Sequence, residues 1–320
     1  MAVDLTDPIF NDEEAARKHF EAVRWPHGPE CPHCGAVGEA TEMKGETTRP
    51  GLYNCRACDQ PFTATIGTIF ERSHIPMHKW LMAIRLMASS KKGISAHQLF
   101  RMLGFGSYRT AWFMAHRIRE SMREVDPKTT GPTGGEGSTI EADETYVGGK
   151  ERNRHRSKRD SKRIGGVGKE MVFALVERGG KVRSHHLPDI SAKNLRPILE
   201  RQFAEAAKFT KFMTDGEGQY RLLAGMFKSH ETVNHGIGEY VRGEAHTNTV
   251  EGYFSIFKRG VTGTFHHVSS QHLKRYLAEF DFRYNERSAL GIKDAERAEK
   301  VLRGSIGKRV TYQGPNETLT

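Results

Sequence analysis

The chain has no long apolar run. Nothing in its 320 residues approaches the roughly 18 consecutive apolar residues of a membrane span. Its opening, MAVDLTDPIFNDEEAARKHF, lacks a basic stretch leading into an apolar one, so no secretory signal is expected and the protein should stay in the cytoplasm, with the nucleoid in a bacterium. Cysteine is scarce. Four occur, all between residues 31 and 58, which argues against a disulfide framework. Acidic residues are in deficit, 39 Asp and Glu against 49 Lys and Arg, for a net charge of +10. A basic excess of this size favours a polyanionic partner, above all nucleic acid. With 37% hydrophobic and 28% charged residues, the composition is globular and the chain can form two or three domains.

The few cysteines are informative by their spacing. CPHC at 31–34 and CRAC at 55–58 place Cys31, Cys34, Cys55 and Cys58 as C-x2-C, twenty residues, C-x2-C. Each pair is a tight knuckle that presents two thiolates to one tetrahedral ion. TTRPGLYNC reads as turn then strand and QPFTATIGTIF as a second strand, so residues 1–72 are expected to hold a zinc ribbon. Four thiolates leave no open position for chemistry, and the Zn2+ would be structural.

From 73 to 125 the pattern turns helical. MHKWLMAIRLMASS places Trp80, Leu81, Ile84 and Met87 at helical spacing. A helix capped by Ser95 and ended by Gly104 follows, then one beginning at Ser107 or Tyr108 that bears Arg109, His116, Arg117, Arg119 and Arg123. A short helix, a Gly-containing turn and a basic helix resemble a helix-turn-helix; the alternative is a helical spacer with an ordinary charged face. DPKTTGPTGGEGS at 126–138 is a linker by composition.

Residues 139–290 form the largest region. TIEADETYVGG and EMVFALVERGGKVRSHHLPDI read as strands, with a hairpin turn at ERGGK. Between them, residues 150–163 hold eight Lys or Arg and two acids, including Lys150, Arg152, Arg154, Arg156, Lys158 and Arg159. Such a block does not pack into a core; it contacts phosphates or is simply solvated. Next come a helix (SAKNLRPILERQF, capped by Ser191), a short buried strand (FTKFMTD), a helix (GQYRLLAGMF), a strand (SHETVNH) and two helices, HTNTVEGYFSIFKRG and SSQHLKRYLAEFDFRYNERS. Three strands, helix, strand, helix, strand, helix, helix is the element order of an α/β ribonuclease-H-like fold, a mixed sheet with helices on it. Residues 291–320 read as a C-terminal tail, weakly ordered beyond about 305.

Two acids sit on different strands. Asp143 lies inside TIEADETYV, where period-two alternation puts it with Glu141 and Thr145 on one face. Asp215 ends KFMTD, and strand ends are where ligand groups collect. Two such carboxylates can share a Mg2+, or Mn2+, ion. A third ligand must come from another element. HTNTVEGYFSIFKRG places Asn248, Glu251 and Lys258 along one side of an otherwise apolar helix, Glu251 and Lys258 being about 20° apart and roughly 10 Å apart along the axis. Each acid alone also fits a dull role, as turn residue, cap or solvated surface.

EADETYVGGKERNRH, the TD before Tyr220, VNHGIGEYV, HTNTVEGYFSIFKRG and GTFHHVSSQHLKRYLAEFDFRYN together resemble insertion-sequence transposases of the ISXO-two-like kind, the fifteen-ninety-five family. The resemblance runs from Cys31 to Asn285. It implies a zinc ribbon, a helical DNA-binding region and a ribonuclease-H-like catalytic domain with an Asp–Asp–Asn/Glu–Lys signature. Asp143 matches the first Asp and Asp215 the second; Asn248 and Glu251 both remain open for the third position, Glu251 being the better Mg2+ ligand by charge. Lys258, with Arg259 beside it, would contact phosphate. The implied activity is hydrolysis at each element end by metal-activated water, then joining of the freed 3′-OH to target DNA. A dimer or larger assembly on double-stranded DNA is implied as well, because two ends are handled together. Gly216 departs from relatives, which tend to place an acid directly after the second Asp. The rival expectations are a DNA-binding regulator with dead catalysis and a nuclease that cuts without joining.

Overall fold

The computed structural model describes residues 4–124, 134–149, 155–158, 168–215 and 218–310. They fall into two compact units. One is built from the first 123 residues together with the segment from Glu286 onward, the other from Glu124–Asn285.

In the first unit, helix α1 (Glu13–Arg24) is capped by Asp12, which accepts from Ala15 N at 2.7 Å. Three short strands follow, β1 (Ala40–Glu42), β2 (Tyr53–Cys55) and β3 (Pro61–Phe62), in one antiparallel sheet. Strands of two or three residues bury little by themselves. They lean on α1: Trp25 meets Tyr53 and Phe62 edge-on at 5.5 and 5.9 Å, and Tyr53 OH donates to Glu21 at 3.1 Å. Helices α2 (Met77–Ser89), α3 (Ala96–Met102) and α4 (Tyr108–Met122) complete the N-terminal part. Ser95 and Ser107 cap α3 and α4, as their sequence context suggests, accepting from Gln98 N and Arg109 N.

The expected tail differs from the structure. Helix α9 (Asp294–Arg303) buries Arg297, Val301 and Leu302 against the first unit, mainly along α2. Arg297 Nη1 donates to Ala88 O at 2.9 Å, and Lys308 Nζ donates to Glu120 O and Ser121 O at 3.0 and 3.2 Å. The residues beyond 305 that read as weakly ordered include Lys308 and Val310, both buried; residues 311–320 lie outside the described residues. The physical reason is a spacing too short to stand out. Arg297, Val301 and Leu302 make a buried stripe of under two turns, which carries meaning only once α2 is beside it. Close approach at the end of α9 yields a test. A Cβ on Gly304 would lie 2.4 Å from the Ser121 carbonyl oxygen. Gly304→Ala should therefore lower stability by about 1–3 kcal/mol, read from chemical denaturation, because backbone must shift to admit the methyl.

The second unit is a five-stranded sheet with helices on both faces. Strands β4 (Thr139–Val147), β5 (Glu170–Glu177) and β6 (Val182–Leu187) form an antiparallel meander. After α5 (Ala192–Phe203), β7 (Lys211–Thr214) pairs parallel to β4, and after the short α6 (Gly218–Arg221), β8 (Ser229–Thr232) pairs parallel to β7. The sheet order is β6-β5-β4-β7-β8. GQYRLLAGMF, expected as one helix, forms α6 and a separate 3-10 turn at Ala224–Met226. A two-stranded ribbon, β9 (Val241–Arg242) with β10 (Ala245–His246), leads into α7 (Asn248–Gly260) and α8 (Ser270–Asn285).

Alternation on β4 and β5 divides the core. Ile140, Ala142, Phe173 and Leu175 pack with Leu195, Leu199 and Phe203 of α5. Val172, Ala174 and Val176 pack on the other face with Val250, Tyr253, Phe254 and Phe257 of α7. Each such fully buried Val, Leu, Ile or Phe side chain contributes about 1.5–3 kcal/mol. Helix α8 covers the edge strand β6 in an unusual way. Asp281 accepts from Ser184 N at 2.9 Å, and Asn285 both accepts from Val182 N at 2.7 Å and donates to Val182 O at 3.0 Å. Two side chains one helical turn apart thus meet the outward polar groups of two alternate strand residues.

Candidate active site

Parallel pairing of the two neighbouring inner strands β4 and β7 brings the two aspartates near one another. Glu141 lies opposite Met213; that register, continued two residues, sets Asp143 level with Asp215, just past the end of β7. Both are partly buried. Burial, then the negative charges of Glu144 and Asp215, and more weakly Glu251, push the Asp143 carboxyl up to about 7, against the pull of the Glu144 N–H that donates to Asp143 Oδ1 at 2.8 Å. Carboxylates from β4, from the end of β7 and from α7 therefore act on one another here. Glu144 is held from below by the buried Tyr220 hydroxyl, which donates to Glu144 Oε2 at 2.6 Å.

The sign of the pH effect follows. Asp143 binds its proton more tightly in the native protein than at its ordinary value of 3.8. Without divalent cation, wild type should lose stability relative to Asp143→Asn as the pH rises from about 4 to about 7, with a slope approaching about 1.4 kcal/mol per pH unit. Paired urea titrations at several pH values measure the difference; a flat difference would contradict it.

Helix α7 delivers its polar side outward. Asn248, Glu251, Ser255, Lys258 and Arg259 are exposed, while Val250, Tyr253, Phe254 and Phe257 are buried. Thr247, at the cap position, makes no capping bond to the backbone; its hydroxyl donates instead to Glu251 Oε1 at 2.9 Å. The cap is supplied from β4. Glu141, fully buried, accepts from Thr249 N at 2.7 Å, Val250 N at 3.0 Å and the Thr249 hydroxyl at 2.8 Å. Arg178 Nε donates to the same carboxylate at 2.7 Å, and its Nη1 and Nη2 donate to the carbonyls of Glu244 and His246 at 2.9 and 3.0 Å. Sequence reasoning placed Glu141 on the face of β4 that bears Asp143 and Thr145 but gave it no partner, and gave no role to Glu144, Arg178 or Tyr220. The alternation on β4 was the available signal.

Of the basic residues, Arg156 is exposed in a 3-10 turn, Arg156–Lys158, and Arg109 is exposed in the first turn of α4. Lys150, Arg152, Arg154 and Arg159 lie outside the described residues, as does Gly216. Arg117 is placed differently from a surface cation: its Nη1 donates to Ile69 O at 2.7 Å, and its guanidinium lies 4.8 Å from the Phe113 ring centre. Burial holds its pKa down. Arg119 is buried too.

The four cysteine sulfurs converge, all within 4.8 Å of one another. Cys31 to Cys58 and Cys34 to Cys55 are each 3.7 Å. A tetrahedron with Zn–S bonds of about 2.3 Å has edges of about 3.8 Å, so the quartet fits the ion. Among the described residues no other set of three or more Cys, His, Asp or Glu is drawn together as tightly. The carboxylates of Asp143, Asp215 and Glu251 are oxygen donors, the kind Mg2+ prefers, but are not drawn together as the cysteine sulfurs are.

With this geometry in view, two family models match. One described as an ISXO2-like transposase domain matches residues 135–285, and one described as a transposase zinc-ribbon domain matches residues 11–60. An uncharacterized protein in transposable element ISH50 of Halobacterium salinarum is 31% identical over 283 residues, 86% of this chain and 91% of that relative. Among the described residues no helix is long and apolar enough to cross a membrane.

Proposed function

The chain belongs to the ISXO2-like family of insertion-sequence transposases, DNA-cleaving enzymes, and from that premise we propose that Glu124–Asn285 is a ribonuclease-H-like catalytic unit that cuts and joins DNA with a divalent cation. One observation carries the reading: Asp143 on β4 and Asp215 at the end of β7 lie on neighbouring parallel strands, and the charge of Glu251 on α7 reaches Asp143. The sheet order β6-β5-β4-β7-β8 supports the fold assignment.

Asp143, Asp215 and Glu251 would hold Mg2+ or Mn2+, with Asn248 as the alternative third ligand. The ion would neutralise charge building up on the phosphate oxygens. The chain's own residues do the rest by position. Thr247 orients Glu251, and Lys258 and Arg259, about two turns further along α7, receive the DNA phosphates. The basic run that holds Lys150, Arg152, Arg154, Arg156, Lys158 and Arg159 would contact further phosphates. Water attacks the phosphodiester at each element end, leaving the phosphate on the flanking strand's 5′ end and freeing a 3′-OH; that 3′-OH then attacks a target phosphodiester and displaces the target's own 3′-OH. The first unit reads the terminal repeats: Cys31, Cys34, Cys55 and Cys58 hold structural Zn2+, and α3 with α4 forms a helix-turn-helix that presents Arg109. Two ends require a dimer or larger assembly.

Labelled duplexes carrying the element's ends, incubated with the protein and Mg2+, test this. Cleavage together with strand-transfer products supports the transposase. Cleavage without joining would leave a nuclease, and specific binding without cleavage a DNA-binding regulator.

A further inference from the structure

We propose that Glu141 is a positioning residue that locks the helix bearing the third acid to the strand bearing the first. The inference deepens the reading of Asp143, Asp215 and Glu251 as one cation site and rests on it.

The geometry is that of a cap supplied from afar. A helix start leaves N–H groups without partners, and a local Ser, Thr, Asp or Asn usually accepts from them. Thr247 occupies that position in α7 but caps nothing. Glu141, 108 residues away in sequence, takes its place by accepting from the Thr249 and Val250 N–H groups. Two consequences join at the site. First, the Thr247 hydroxyl is free to donate to Glu251 Oε1 at 2.9 Å, which fixes that carboxylate's direction. Second, Glu141 is two residues before Asp143 on the same face of the same strand, so whatever fixes the helix start to Glu141 also fixes Glu251 relative to Asp143.

The carboxylate is fully buried, and among the described residues the polar groups that meet it belong to this junction. Thr249 and Val250 start α7, Arg178 also grips the carbonyls of Glu244 and His246 leading into it, and His246 Nδ1 lies 3.2 Å from Oε1. Arg178 is itself tied to β4, its N–H donating to Thr139 O at 3.0 Å. A negative charge at a helix start is favoured by the helix dipole, and hydrogen bonds to a charged acceptor are the stronger kind. A carboxylate thus suits this position better than a neutral acceptor of the same shape.

The test uses the full-length protein and Glu141→Gln, which keeps the volume and one acceptor oxygen but removes the charge and one acceptor. Three readouts are needed: hydrogen exchange of the Thr249 and Val250 amides, Mn2+ binding by electron paramagnetic resonance titration, and the Mn2+ concentration giving half-maximal strand cleavage. We expect exchange at those amides to speed up at least about tenfold. Mn2+ affinity should weaken about 10–100-fold, the usual effect of losing a residue that orients a ligand. Cleavage at saturating Mn2+ should recover to within about threefold of wild type, with DNA affinity unchanged. Wild-type exchange and Mn2+ binding in Glu141→Gln would overturn the proposal, as would a lower melting temperature with unaltered Mn2+ binding, the mark of a merely structural residue. If Glu141→Gln does not fold, Thr249→Val removes a single donor, and an unchanged Mn2+ affinity there overturns the proposal equally. A wild type that binds Mn2+ and cleaves nothing would sink the transposase reading alone, because exchange and Mn2+ titration still decide the role of Glu141.

Discussion

Asp143→Asn and Asp215→Asn should each lower strand cleavage by at least about 10³-fold while leaving specific DNA binding within about twofold of wild type. An ion that polarises phosphoryl oxygens supplies several kcal/mol of transition-state stabilisation, and each 1.36 kcal/mol corresponds to a factor of ten in rate. Asparagine keeps the shape and one acceptor, so the loss isolates the charge. The same substitution at Asp143 should make the metal-free protein more stable above neutral pH, because burial and the charges of Glu144, Asp215 and Glu251 all oppose an ionised carboxylate there. Activity and stability moving in opposite directions is the signature of a ligand site; a destabilised Asp143→Asn that still cleaves would contradict it. In the same assay Glu251→Gln should match the aspartate variants and Asn248→Ala should lose less, since the Glu251 carboxylate is the one oriented by Thr247 and felt by Asp143. The reverse order would give the third position to Asn248.

Removing zinc should have the second large effect. Structural zinc contributes about 10–16 kcal/mol of apparent binding energy in small domains, and here it would hold together strands of two and three residues. Cys55→Ser, at a buried position, or a strong chelator should therefore melt the ribbon outright. Trp25 reports on it, being packed edge-on against Tyr53 and Phe62. Its fluorescence should shift to longer wavelength, one zinc per chain should be released, and specific binding to element ends should disappear. Nonspecific cleavage by the catalytic unit should survive. A Cys55→Ser protein with an unshifted tryptophan spectrum and wild-type DNA affinity would rule out a structural metal.

Much of this was legible because the signals were local. Two knuckles at fixed spacing announce converging thiols. The order of elements along the second unit followed from alternation and turn residues, while the order of strands within the sheet did not. The two faces of α7 could be drawn from its residue types alone: of its apolar residues Val250, Tyr253, Phe254 and Phe257 are buried, and Ile256 only partly so. What escaped depends on partners distant in sequence. Glu141 looks like any acid in a strand until the start of α7 comes to rest on it. Arg117 reads as a cation on a basic helix, yet its guanidinium meets the carbonyl of Ile69. α9 carries too short an apolar stripe to advertise that it completes a unit begun by α1. In each case the deciding contact is long-range, and local periodicity is blind to it.

The return of α9 has a consequence for how the protein is made. A ribosome releases the chain from its amino end, so the zinc ribbon, α1 and α2 emerge long before the helix that packs on them. The whole second unit is synthesised in between. A nascent or prematurely terminated chain that stops before Glu286 holds all the candidate catalytic residues yet lacks Arg297, Val301 and Leu302, which finish the first unit. Completion of the first unit is thereby tied to translation reaching α9, and a message interrupted before it yields chains whose first unit is left unfinished.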